Sequence, residues 1–167
     1  MLSGRILTST GWITGSITFD QRIQEIREDL AADPTLTILP GFIDLHVHGA
    51  AGIDIMQGSG AGAAVARTHA RHGTTALLGT TLTAREPAIR HALAGLAGVI
   101  AERPAGAARM LGVHLEGPFL SIHRLGAQPA DSVVDGSLEL VQSYHAIAPI
   151  RAMTLATEVA QHLQLIP

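Results

Sequence analysis

Cysteine is absent from the 167 residues, so neither a disulfide nor a thiolate metal ligand is available. Any bound metal must therefore use His, Asp or Glu. Lysine is absent as well: all eleven basic residues are arginine, which beside the abundant Ala and Gly reads as coding bias rather than function. Basic runs are missing and the net charge is −3, which argues against nucleic acid or an anionic membrane as partner. Aromatic residues are scarce (Phe 3, Trp 1, Tyr 1), so Ala, Leu, Ile and Val must fill the core of a chain that is 47% apolar. No apolar run reaches bilayer-spanning length, and the opening MLSGRILTSTGW lacks the apolar centre of a secretory signal. Cytoplasm is the expected compartment.

Against these absences stands Leu39 to Gly49, LPGFIDLHVHG. An apolar run opens it, and a strand there sends side chains to alternating faces. Ile43, Leu45 and Val47 then share one face, and Asp44, His46 and His48 the other. Two imidazoles at i and i+2 near a strand end can point into one small volume and offer two nitrogens to a divalent ion. A polar pair on a half-exposed strand is the plainer account of an isolated His-x-His. The Gly and Ala that follow shift the balance, because bare backbone can approach a ligand there.

Met110 to Leu120, MLGVHLEGPFL, repeats the pattern: an apolar strand cut off by Gly-Pro directly after a carboxylate. Parity puts Gly112, His114 and Glu116 on one face, with Glu116 outermost. A turn-forming Glu would explain that carboxylate alone. Together, His46, His48 and Glu116 make a two-nitrogen, one-oxygen set of the kind hydrolytic zinc or iron sites use.

Residues 1–38 read as short strands, with Ile13, Gly15, Ile17 and Phe19 alternating with polar neighbours. From the His-x-His strand onward the rhythm becomes strand, helix, strand, helix. A helix from about Ser59 to His72 closes at Gly73, and Thr75 to Thr80 is the next strand. A capping box, Thr83-Ala-Arg-Glu86, opens a helix reaching about Arg103. Then come a strand at Arg109 to Glu116, a helix near Ser137 to Ala148 and a strand at Ile150 to Ala156. The expected class is α/β: about four βα units of a (β/α)8 TIM-type barrel over 39–167, preceded by a small N-terminal β piece of a β-sandwich over 1–38. Active-site residues in such barrels sit at the C-terminal strand ends, where His48 and Glu116 fall. A closed barrel needs eight strands and typically about 250 residues, so the pattern is that of a first half.

The other polar residues have structural readings. His69 and His72 suit a helix end, where an imidazolium meets the dipole. His91, His123, His145 and His162 read as solvated or loop residues. His114, one layer beneath Glu116, suits a hydrogen bond to a ligand residue better than direct ligation. Asp44 suits buried donors or the orientation of His46, and Thr80, Thr81 and Thr83 suit capping of the following helix.

The segments PGFIDLHVHG (Pro40 to Gly49), HGTT (His72 to Thr75), TTLT (Thr80 to Thr83), GVHLEGPFL (Gly112 to Leu120), RLGAQP (Arg124 to Pro129) and MTLATE (Met153 to Glu158) carry a resemblance over nearly the whole chain. The sequence resembles the amidohydrolase superfamily, and within it the N-acetylglucosamine-6-phosphate deacetylases. The resemblance implies metal-dependent hydrolysis of the acetamide of N-acetylglucosamine 6-phosphate to glucosamine 6-phosphate and acetate, with one or two divalent ions, zinc or iron. By it, Glu116 matches the metal-binding glutamate, and His46 and His48 match a His-x-His that some members use for a second metal and others replace. Ala127 and Gln128 match the substrate-contacting pair, although the family commonly has His where Gln128 stands; Thr157 replaces a usual Pro.

Partners implied are a small amino-sugar phosphate and, in the full-length family, a second copy in a homodimer. Two further metal-binding histidines, the phosphate contacts and the catalytic aspartate belong to later strands. None can be matched within 167 residues, so no catalytic residue is assigned and the chain alone is expected to be inactive. A hydantoinase or dihydroorotase relative is a competing reading, but its metals are bridged by a carboxylated lysine, and this chain has none. A non-catalytic remnant, or a split half that pairs with a missing C-terminal half, stays open.

Overall fold

The computed structural model describes residues 1–166, which fall into two compact units, Met1–Gly41 and the chain from Phe42 onward. In the first, β1 (Leu2–Thr8), β2 (Gly11–Phe19) and β3 (Ile23–Glu28) form an antiparallel meander, and β4 (Thr37–Ile38) runs parallel to β1. The alternation in β2 matches its burial: Gly15 and Ile17 are buried, opposite Gly4 and Leu2 of β1. Gly11 sits at φ 122° in the first turn, a conformation that side chains disfavour. All six residues of β3 are exposed.

The second unit contains β5 (Phe42–Val47), a short hairpin of β6 (Gly49–Ala50) and β7 (Ile53–Asp54), and α1 (Ala61–Ala70). It continues with β8 (Thr74–Thr81), α2 (Glu86–Glu102), β9 (Arg109–Glu116), α3 (Leu138–Ile147) and β10 (Ile150–Thr154). The four longer strands pair in parallel in the order β5-β8-β9-β10. Each new strand joins on the same side, as successive βα units require, and the sheet curls as half of a (β/α)8 barrel does. Ile89, Leu93 and Leu96 stand one helical face apart on α2 and are buried against Leu77, Val113 and Leu115 of the sheet. Pro87 lies in the first turn of α2, where a missing N–H costs nothing. No helix among the described residues is long and apolar enough to cross a membrane.

Several local expectations need correction. The Thr83–Glu86 capping box does not form: Arg85 is the N-cap of α2 and makes no side-chain cap bond. Thr83 is buried, and its N–H is taken by the Gln128 side chain instead. Gly49 lies in the β6–β7 hairpin, where the Ile53 carbonyl occupies the space that a side chain would need. His162 is buried, its Nδ1 donating to the Ala156 carbonyl at 2.9 Å and its ring meeting Phe119 edge-to-face. It lies in a short 3₁₀ stretch with no apolar period, so nothing in the sequence marked it as core.

Candidate metal centre

The geometry of the His-x-His begins with an irregularity in β5. Asp44 pairs with Leu77 of β8, and the next pair is Val47 with Gly79. Three steps on β5 thus face two on β8, so β5 carries one extra residue, and such bulges re-aim side chains. Two N–H groups leave the ladder as a result. His46 N–H donates to Asp44 Oδ1 at 3.1 Å, and Val47 N–H donates to the Thr80 hydroxyl at 2.8 Å. Alternation alone does not give burial on the apolar face: Val47 is 4% exposed, whereas Ile43 and Leu45, on a strand at the sheet edge, are 64% and 58% exposed. The imidazoles do meet, with Nε2 atoms 2.9 Å apart and rings edge-to-face at 4.7 Å.

Glu116 ends β9, two strands away. Its Oε2 lies 2.9 Å from His48 Nε2 and 3.1 Å from His46 Nε2. Although that close to two ring nitrogens, the buried Oε2 makes no hydrogen bond of acceptable angle, and buried His48 Nδ1 has no partner either. Three electron-rich atoms thus form a triangle with edges near 3 Å. Ligands on a tetrahedral zinc at ~2.0–2.1 Å stand about 3.3 Å from one another. The donor set fits a divalent ion, and three protein ligands is the number that catalytic zinc sites use while keeping one position open.

The other Glu116 oxygen is held from outside the triangle. Gln128 Nε2 donates to Oε1 at 3.1 Å, while Gln128 Oε1 accepts the Thr83 N–H at 2.9 Å. Gly117, at φ 73°, turns the chain directly after Glu116, and a side chain there would strike the Thr83 hydroxyl. His114 is 8% exposed; its Nε2 is 2.8 Å from the Thr154 hydroxyl and its ring lies edge-on to His46 at 4.9 Å. Burial first, and then the neighbouring His46, hold its pKa below the ordinary imidazole value, so it is neutral at pH 7. Its hydrogen bond thus goes to Thr154 on β10 rather than to a ligand residue.

Ala127 is exposed in the turn before Gln128, whose N–H donates to the Leu125 carbonyl at 3.1 Å. Thr80 and Thr81 do not cap α2. Thr80 serves the β5 backbone, and the Thr81 hydroxyl is buried without a partner. Sequence reasoning missed the part of Thr80. A hydroxyl in a buried strand, level with the His-x-His, was the available signal.

A profile of the amidohydrolase family matches residues 37–163. The chain belongs to the amidohydrolase family. Among curated amidohydrolases, the N-acetylglucosamine-6-phosphate deacetylase of Bacillus subtilis (strain 168) is 35% identical over 144 residues, covering 83% of this chain and 36% of that protein. Among solved structures, the N-acetylglucosamine-6-phosphate deacetylase of Thermotoga maritima aligns with a TM-score of 0.87 at 25% identity, covering 99% of this chain and 44% of that one. A point mutant of the Mycobacterium smegmatis deacetylase, in complex with N-acetyl-D-glucosamine-6-phosphate, aligns at 0.80 with 27% identity, over 97% of this chain and 44% of that one. The chain spans less than half the length of these relatives.

Proposed function

We propose that the protein to which this chain contributes hydrolyses the acetamide of N-acetylglucosamine 6-phosphate to glucosamine 6-phosphate and acetate. A zinc or iron ion would be held by Glu116, His46 and His48. The observation that carries the reading is the triangle of Glu116 Oε2 and the two Nε2 atoms at the C-terminal ends of β5 and β9. Once bound, the ion supplies Lewis acidity towards an amide carbonyl and makes water more acidic.

The chain's own residues bind and orient. Glu116 contributes the negative charge, and His46 and His48 contribute neutral nitrogens. The edge of the His114 ring keeps His46 facing the triangle. Ala127, exposed beside Gln128, flanks the substrate side. The relatives' activities and the ligand of the Mycobacterium smegmatis structure support an amino-sugar phosphate as substrate.

No residue of this chain is assigned as the base that takes a proton from water. We expect the chain, assayed by itself, to release no acetate from N-acetylglucosamine 6-phosphate, since loss of a triad-type base typically costs about 10⁴-fold or more. The test is a Zn²⁺ titration of the chain and of Glu116→Gln, run beside an acetate-release assay. Equal affinities would remove Glu116 from the site. Zinc-dependent turnover by the chain alone, abolished in Glu116→Gln, would overturn the expected inactivity.

A further inference from the structure

We infer that Gln128 is the positioning residue of this centre, fixing Glu116 so that it meets the ion through one oxygen only. The inference rests on the metal-binding reading of His46, His48 and Glu116. The amide is fixed at both ends. The Thr83 N–H can only donate, so the oxygen of Gln128 faces Thr83 and its NH₂ group faces Glu116 Oε1. An ionised carboxylate is a stronger acceptor than a neutral oxygen. The bond from Gln128 occupies Oε1 and leaves Oε2 towards the two imidazoles.

The anchor is rigid for its own reasons. Thr83 is 2% exposed at the junction of β8 and α2. The turn carrying Gln128 is closed by Gly126 at φ 60° and by the bond from Gln128 N–H to the Leu125 carbonyl. Chemistry explains why an amide suits the place. It donates without a formal charge, so it does not neutralise Glu116, and its donor nitrogen offers no lone pair to compete for the ion. Without it, the Glu116 side chain at a strand end is free to rotate and present both oxygens.

Two measurements test this. In the metal-free chain, nuclear magnetic resonance should show one Gln128 side-chain amide proton shifted downfield and slow to exchange, and Glu116→Gln should alter it. In a Co²⁺ titration, Gln128→Met should bind roughly 10–100-fold more weakly, the usual penalty for losing a partner of a metal ligand. The visible absorption of its Co²⁺ form should fall in intensity as Glu116 supplies a second oxygen and the coordination number rises. Gln128→Asn, one methylene shorter, reaches only one partner; intermediate affinity is expected, and it serves if the Met variant fails to fold. Wild-type affinity and spectrum in a folded Gln128→Met, or a Gln128 amide that exchanges like a free one, would overturn the inference. If the wild type shows the protected amide yet binds no Co²⁺, the metal reading falls while the contact between Gln128 and Glu116 stands.

Discussion

The Thr80 hydroxyl, fully buried on β8, accepts the Val47 N–H that the extra residue in β5 has taken out of the ladder. Valine has nearly the shape of threonine but cannot accept that bond. Thr80→Val should therefore cost about 1–3 kcal/mol, the penalty of a buried donor left unpaired, read from urea unfolding. Zn²⁺ affinity should fall with it, because the same N–H sets the direction of His48. Tyr144 presents the opposite case. Its hydroxyl is buried with no partner, the Arg90 guanidinium lies over its ring at 5.3 Å from the centroid, and burial pushes its pKa up to about 12. The folded chain keeps a proton that the unfolded chain releases near pH 10. Stability from this group is thus complete below about pH 10 and is lost as pH rises towards 12. Tyr144→Phe should leave stability at pH 7 equal or slightly higher and flatten the decline above pH 10, as followed by denaturation at several pH values.

Among the elements, those with a strong internal period were readable in the chain. α2 shows Ile89, Leu93 and Leu96 at helical spacing, β8 starts directly after Gly73 around an apolar centre at Ala76 to Leu78, and β9 stops at Gly117-Pro118. What was not readable depends on partners remote in sequence. Thr83 matches a helix start by every local rule, yet Gln128, 45 residues on, takes its N–H. The bulge in β5 depends on the register with β8, which no residue of β5 announces. Leu96 shows how the readable part is packed: its side chain fills the space over Gly79 of β8, where an added methyl group would collide with it. Leu96→Ala should cost about 2–5 kcal/mol through the cavity left behind, and a loss well under 1 kcal/mol in thermal or urea unfolding would contradict this packing.

For the whole molecule, the three donor residues and their meeting at one end of the sheet were readable through the barrel pattern, but the distances between them were not. His46 and His48 lie on β5 and Glu116 on β9, with β8 between them, so only the curl of the sheet brings their atoms together. Among the described residues, that same sheet ends in two strands, β5 and β10, each paired on one side only. β5 exposes Phe42, Ile43 and Leu45, each between 58% and 64% exposed. An unpaired apolar strand edge invites association. Sedimentation velocity should show association that grows with concentration and is reduced in Ile43→Lys; a monomer at every concentration, unchanged by that substitution, would count against this reading.

A chain without cysteine has no covalent means of tying distant segments together. An ion shared by His46, His48 and Glu116 would join β5 to β9 across β8 and close the long loop between them, so that metal becomes the removable cross-link of the fold. Binding confined to the native state adds about 2.7 kcal/mol at a free concentration one hundred times Kd. The melting temperature should rise with Zn²⁺ in the wild type, and hardly at all in Glu116→Gln. A chelator would then act on this chain as a reducing agent acts on a disulfide-bonded one.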